Sequence, residues 1–209
     1  MEDKRIKAII FDLGNVLVNF DHWIATRRVS SFTDKSRDEI YNLFFDSQLT
    51  CLFEEGKISP QEFFLKIKEI LNLKLDYDKF IPIWDEIFFL TKENLEVYNL
   101  VKQLGGRYKI ALLSNINVLH FNYLKNKFPH LFEAFHHVIA SYEIKVRKPH
   151  PLIYKKALEL LGTSPGNVFY TDDRQELAES AKELGIRGFA FRGIVQLKID
   201  LVNSGIQIN

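Results

Sequence analysis

Asp12, Ser114, Asn115, Lys148, Asp172 and Asp173 are the residues whose types could do chemistry together, and most directly follow a short apolar run. Asp12 comes after Ala8 to Phe11, Ser114-Asn115 after Lys109 to Leu113, and Asp172-Asp173 after Val168 to Thr171. Arg147-Lys148-Pro149 comes a few residues after the run His137 to Ala140. If these runs are parallel strands, ligands bind just beyond their carboxyl ends, and three carboxylates, a hydroxyl and an ammonium converge on one rim. Carboxylates held that close raise one another's pKa unless a cation sits among them, and all-oxygen ligation suits magnesium. The chemistry such a set could do is phosphoryl transfer to a carboxylate. Asp12 would attack phosphorus as a nucleophile, Ser114 would donate to a phosphate oxygen, and Lys148 would balance charge as a point cation. Asp172 and Asp173 would hold the metal.

The elements that must position these residues follow from periodicity. The apolar runs above, with Gly188 to Phe191 as a fifth, read as strands buried on both faces. Helical stripes alternate with the later ones: Leu95, Tyr98, Val101 and Leu104; Ile153, Tyr154, Ala157, Leu158 and Leu161; Leu177, Ala181 and Leu184. Each of these ends at glycine. Alternating strand and helix predicts an α/β fold with a parallel sheet and helices on its faces. Residues 19–91 break the rhythm with amphipathic stripes and no convincing strand. Ile40, Tyr41, Phe44 and Phe45 make one stripe; Phe63, Phe64, Ile67, Ile70 and Leu71 make another, entered through Ser59-Pro60; Phe80, Trp84, Ile87 and Phe88 make a third around Pro82. About a hundred positions separate Asp12 from Ser114, far more than the roughly dozen a parallel crossover needs. The expected organisation is a core of residues 1–18 and 92–209 with a helical domain, 19–91, inserted.

Composition narrows the partners. The 209 residues carry 28 Lys+Arg and 27 Asp+Glu, a formal charge of +1, so no general pull on nucleic acid or anionic membrane is expected. Apolar and charged shares of 46% and 26% are those of a globular domain. Cys51 is the single cysteine, which excludes an intrachain disulfide or a thiolate zinc cage and fits a reducing compartment. No run is long enough for a signal-peptide core or a membrane span, and a cytoplasmic location is expected.

Phe-Asp-Leu-Gly-Asn-Val, Leu-Leu-Ser-Asn, Arg-Lys-Pro and Tyr-Thr-Asp-Asp stand in the order of the four motifs of the haloacid dehalogenase-like (HAD) hydrolase superfamily. The chain resembles that superfamily over nearly its whole length, and the insertion after the first motif is similar to its C1 cap. The resemblance implies a Rossmann-like, three-layer α/β/α core, a magnesium ion, an aspartate nucleophile and a small phosphorylated metabolite as substrate. Carried over by position, Asp12 is the nucleophile, Ser114 and Lys148 act with it, and Asn15 and Asn115 join them in binding substrate. Asp12, the Gly14 carbonyl, Asp172 and Asp173 form the metal site, with Asp173 as a direct ligand.

The sequence departs from the commonest phosphatase pattern at Gly14, where a second aspartate usually serves as general acid and base. Such a group is typically worth roughly 10²–10⁴ in rate, so slow or substrate-restricted turnover is expected, with preference for leaving groups that depart easily. The Asp-Leu-Gly-Asn-Val form is similar to a subgroup that includes sugar-1-phosphate phosphatases. His22 and Asp21 are candidates to replace the proton donor, although Asp21 also reads as a helix N-cap. Arg174 and Leu177 replace the small polar and acidic or amide residues usual after the last motif, and His150 replaces a common acid. Two alternatives remain: a regulatory module that holds metal and phosphate without turnover, and a dehalogenase, which the Asp172-Asp173 pair opposes. His136-His137 is expected to flank the third strand, His120 and His130 to face the surface or the cap, and Cys51 to pack as a small buried hydrophobe. The aromatics of 41–89 read as helix-bundle core, with one or two at the mouth of the site.

Overall fold

The computed structural model describes residues 5–45 and 47–208. Its strands are β1 (Ala8–Phe11), β2 (Asn19–Phe20), β3 (Phe88–Phe89), β4 (Lys109–Ser114), β5 (His137–Ala140), β6 (Val168–Asp172) and β7 (Arg187–Ala190). Five of them form one sheet in the order β5-β4-β1-β6-β7, each neighbouring pair parallel. The chain leaves β1 for β4 and β5 on one side, then returns to β6 and β7 on the other. The strand order therefore reverses at β1, where α/β sheets open a ligand crevice.

Side chains alternate between two faces along each strand, and both faces are buried. Ile9, Phe11, Ile110 and Leu112 enter one hydrophobic cluster with Val97, Val101 and Leu104 of helix Lys92–Gly105 and Leu197 and Leu201 of helix Ile194–Asn203. Ala8, Ile10, Ala111 and Leu113 enter the other, with Ile153, Tyr154, Ala157 and Leu161 of helix Pro151–Leu161. That is the expected three-layer α/β/α arrangement. Against the sequence reading, β4 and β6 each run one residue further, and β7 lies one residue earlier. The two extensions matter: Ser114 pairs with Ala140 and Asp172 with Ala190, so these polar residues are still inside the sheet.

Between β2 and β3 lie helices His22–Val29, Arg37–Phe45, Gln48–Glu54, Pro60–Ile70 and Tyr77–Asp85. The fourth starts on a capping box: Ser59 Oγ accepts from the Glu62 amide at 3.2 Å and the Glu62 carboxylate accepts from the Ser59 amide at 2.7 Å. Their apolar stripes meet in a separate cluster in which Phe44, Phe53, Phe63, Phe80 and Trp84 are fully buried. The expectation that this segment lacks strands is corrected by β2 and β3, an antiparallel pair that ties its entry to its exit. Two residues per strand are too few for a periodicity to register. Asn94 fastens the same junction, donating from Nδ2 to Val16 O at 3.2 Å and to Asn19 Oδ1 at 2.9 Å. No helix among the described residues is long and apolar enough to cross a membrane.

Candidate active site

Asp12 leaves the end of β1 with its amide bonded to Thr171 O at 3.0 Å, so the flanking strand aims it into the crevice. Lys148 is 2% exposed, and its ammonium donates to Asp12 Oδ1 at 2.8 Å, Asp172 Oδ2 at 2.6 Å and Leu113 O at 3.0 Å. Those three bonds use every donor an ammonium has. A buried cation is tolerable here because two carboxylates share it. Asn115 clamps the lysine backbone from both sides, accepting from Lys148 N at 2.7 Å and donating to Lys148 O at 2.9 Å.

The twin acids differ in what holds them. Asp172 Oδ2 accepts from Lys148 and from the Tyr170 hydroxyl, and its Oδ1 accepts from the Arg174 amide at 2.9 Å. Asp173 Oδ2 accepts from Asn15 Nδ2 at 2.8 Å. Burial pushes the Asp12 carboxyl up to about 7 against the pull of Lys148, with Asp172 and Asp173 adding to the rise. Burial works to raise Asp172, but the charge and hydrogen bond of Lys148, with hydrogen bonds from the Tyr170 hydroxyl and the Arg174 amide, hold it below the usual carboxylate range. Asp173 is raised, chiefly by burial. Lys148 is raised despite burial, because Asp12 and Asp172 stabilise its charge.

One oxygen from each of Asp12, Asp172 and Asp173 lies within 4.8 Å of the others. Asp12 and Asp173, raised by burial and crowded beside the ionised Asp172, call for a counter-charge, and the three offer oxygen alone, which matches what a hard divalent cation takes. The donor set fits such an ion.

A cavity of about 180 Å³ opens over these groups. Asp12, Gly14, Ser114, Asn115, Lys148, Asp172 and Asp173 line it from the sheet side, whereas Asn15 stands behind Asp173 at a left-handed φ of 53°. Phe20, His22, Phe45 and Phe88 line the other side, with Glu54 and Arg147 as an ion pair of 3.2 Å. Of the two candidate proton donors, Asp21 caps helix His22–Val29, accepting from Trp23 N at 2.9 Å, and only His22 faces the cavity. Two mouth aromatics from residues 41–89, Phe45 and Phe88, are thus where one or two were expected.

Other placements refine the sequence reading. His120 is buried and faces the helical insertion: Asn117 Nδ2 lies 3.1 Å from its Nδ1, and its Nε2 lies 3.0 Å from Trp84 O. His136 Nδ1 accepts from Ile110 N at 3.0 Å beside β5, and His150 caps helix Pro151–Leu161. Cys51 is corrected from a buried hydrophobe to a half-buried thiol whose sulfur accepts from Arg147 at 2.7 Å. Arg174 turns its guanidinium to Glu176, and Arg192 supports the loop by donating to Asp173 O at 3.2 Å. Sequence reasoning missed Arg192, Tyr170 and Phe20. Tyr170 sits at i−2 to Asp172, on the same face of β6, and was the one legible signal.

The molecule is thus an α/β protein with an open parallel sheet that carries acids, a lysine and a hydroxyl at its carboxyl edge and has helices inserted after the first strand. Residues 6–185 match the model of the haloacid dehalogenase-like hydrolase family, and the chain belongs to that family. A D-ribitol-5-phosphate phosphatase of Bacteroides thetaiotaomicron is 23% identical over 88% of this chain and 91% of its own. A glyceraldehyde 3-phosphate phosphatase of Pyrococcus furiosus is 24% identical over 95% and 85%. Among solved structures, a HAD family enzyme of Bacteroides thetaiotaomicron superposes with a TM-score of 0.79 at 28% identity, over 89% of this chain and 93% of its own. The same enzyme in complex with magnesium and inorganic phosphate gives 0.76 at 29%, over 88% and 93%.

Proposed function

We propose that the protein is a magnesium-dependent phosphomonoesterase acting on a small phosphorylated metabolite through a phosphorylated Asp12. The observation that carries this reading is the meeting of Asp12, Lys148, Asp172 and Asp173 at one cavity floor. The phosphatase names of the relatives, and the magnesium and phosphate held by the structural neighbour, support it. A regulatory module or a dehalogenase draws no comparable support from these acids. In this reading residues 19–91 serve as the cap over a body formed by 1–18 and 92–209.

Lys148 holds one oxygen of Asp12, leaving the other to attack phosphorus. As that Asp12 oxygen bonds to phosphorus, the bond to the leaving oxygen breaks, and the departing alkoxide takes a proton from solvent water. Water then attacks the same phosphorus and gives its proton to solvent, breaking the bond to Asp12, which returns to a carboxylate, and releasing inorganic phosphate. The Ser114 hydroxyl donates to a phosphate oxygen, while Asn115 positions Lys148 through its backbone. Asp12, the Gly14 carbonyl, Asp172 and Asp173 would hold magnesium, Asp173 as the freer carboxylate; bound there, the ion offsets the repulsion between carboxylate and phosphate. Asn15 acts behind it, orienting Asp173.

Gly14 provides no proton donor, so phosphates with easily departing leaving groups, such as sugar 1-phosphates, are favoured over plain alkyl phosphates. The test is phosphate release from sugar, triose, polyol and acyl phosphates with magnesium or with EDTA, comparing the parent with Asp12→Asn. Release that needs magnesium and disappears in the variant is expected. Release persisting in Asp12→Asn would overturn the assignment.

A further inference from the structure

The cap side of the cavity is a continuous stack of rings. Phe20 lies over His22 at 4.7 Å, His22 over Phe45 at 3.6 Å, Phe45 over Trp84 at 5.4 Å and Trp84 over His120 at 4.8 Å. Phe20, His22, Phe45 and His120 expose part of this stack to the cavity, and Phe88 adds another ring. Burial holds both imidazoles well below their ordinary pKa, at about 4 for His22 and about 3 for His120, so neither is charged at neutral pH.

Every lysine and arginine on the cavity wall is paired in charge with an acid, although Arg147 Nε has no hydrogen-bond partner among the described residues. Lys148 is shared by Asp12 and Asp172, Arg147 is bonded to Glu54 at 3.2 Å, and Arg174 to Glu176 at 2.6 Å. Glu54 reaches the wall from helix Gln48–Glu54 and Arg147 from the loop before Lys148, so the pair closes the cavity from both sides. A second anionic group on the substrate would have to compete with an acid for each of these cations, would meet the Glu54 carboxylate beside Arg147, and would be desolvated against aromatic rings.

We infer that the cavity selects phosphate esters whose leaving group is uncharged, a short sugar or polyol packed against the apolar edges of the Phe20–His22–Phe45 stack, and that the Glu54–Arg147 pair excludes a carboxylate or second phosphate. This rests on the phosphatase reading and narrows its substrate class. At about 180 Å³ the cavity is smaller than the roughly 300–1,000 Å³ of sites for drug-sized ligands, which suits a few carbons beyond the phosphate.

Two near-isosteric pairs test this with the magnesium-loaded protein: glyceraldehyde 3-phosphate against 3-phosphoglycerate, and glucose 1-phosphate against glucuronic acid 1-phosphate. In each pair the uncharged member is expected to show a kcat/KM at least about tenfold higher, since juxtaposed like charges are unfavourable. Glu54→Gln, which frees the Arg147 charge, is expected to narrow that ratio by raising kcat/KM for the carboxylate member. Equal or reversed selectivity in the parent, or a ratio unmoved in Glu54→Gln, would overturn the inference. If no ester is hydrolysed, the phosphatase reading fails by itself. Calorimetric binding of the same pairs to the parent then decides: tighter binding of the uncharged members upholds the charge argument, and equal binding rejects it.

Discussion

At Gly14 the backbone runs so close to Phe20 that a Cβ would lie 2.8 Å from its Cε1. The position that usually carries the proton donor is therefore occupied, in space, by a ring that also stacks on His22. Adding an aspartate without moving that ring crowds the site and misdirects the new carboxyl. Gly14→Asp alone is expected to give little gain in kcat on an alkyl phosphate such as glycerol 3-phosphate. Gly14→Asp with Phe20→Ala is expected to raise it roughly 10–100-fold, the low end of what a placed general acid contributes. A single variant that performs as well as the double would show that the ring is no obstacle. The absence of the acid was legible in the sequence. Its replacement by Phe20 was not, because nothing local links residue 20 to residue 14 until β2 folds back beside the first strand's end.

Besides its two chain crossings and the His120–Trp84 contact, the helical insertion meets the rest of the molecule at one turn. Ser141 Oγ donates to Glu54 O at 2.6 Å, Lys145 Nζ to Gly56 O at 2.9 Å, and Arg147 reaches both Cys51 and Glu54. Gly56 allows this approach: its φ is +59°, and a Cβ there would meet Tyr142 O at 2.3 Å. Gly56→Ala is expected to loosen the latch, lowering kcat/KM about tenfold and speeding thiol labelling of Cys51 as Arg147 leaves its sulfur. Unchanged labelling and kinetics would mean that the turn does not hold the helical insertion. The five strands of the main sheet, by contrast, were readable to within a residue, because burial on both faces writes them as short apolar runs bounded by polar residues, whereas β2 and β3 were too short to register. The acids and Lys148 were readable because they follow those runs. The latch and Arg192 depend on side chains that meet across 19 to 96 positions without a motif, so only the fold reveals them.

Over the whole molecule, buried ionisable groups pull stability in opposite directions as pH changes. Burial lowers His22 from an ordinary 6.5 to about 4 in the folded protein. The unfolded chain therefore binds the proton more readily between those values, and the contribution present above pH 6.5 is lost as pH falls towards 4. Asp85, 8% exposed at the end of helix Tyr77–Asp85 with Oδ1 unpartnered among the described residues, is raised by burial from 3.8 to about 7. Here the folded protein holds the proton, and stability is lost as pH rises from about 4 through 7. A wild-type profile blends the two trends, so variants must separate them. His22→Phe, which keeps a ring between Phe20 and Phe45, is expected to gain about 1–2 kcal/mol over the parent at pH 5 and little at pH 8. Asp85→Asn is expected to gain a similar amount at pH 8, and less at pH 5 where Asp85 is already protonated. Each kcal/mol corresponds to about 2–4 °C in Tm for a chain of this size, so thermal melts at the two pH values resolve the crossed pattern. Parallel shifts at both pH values would show that neither group titrates across the interval its burial dictates.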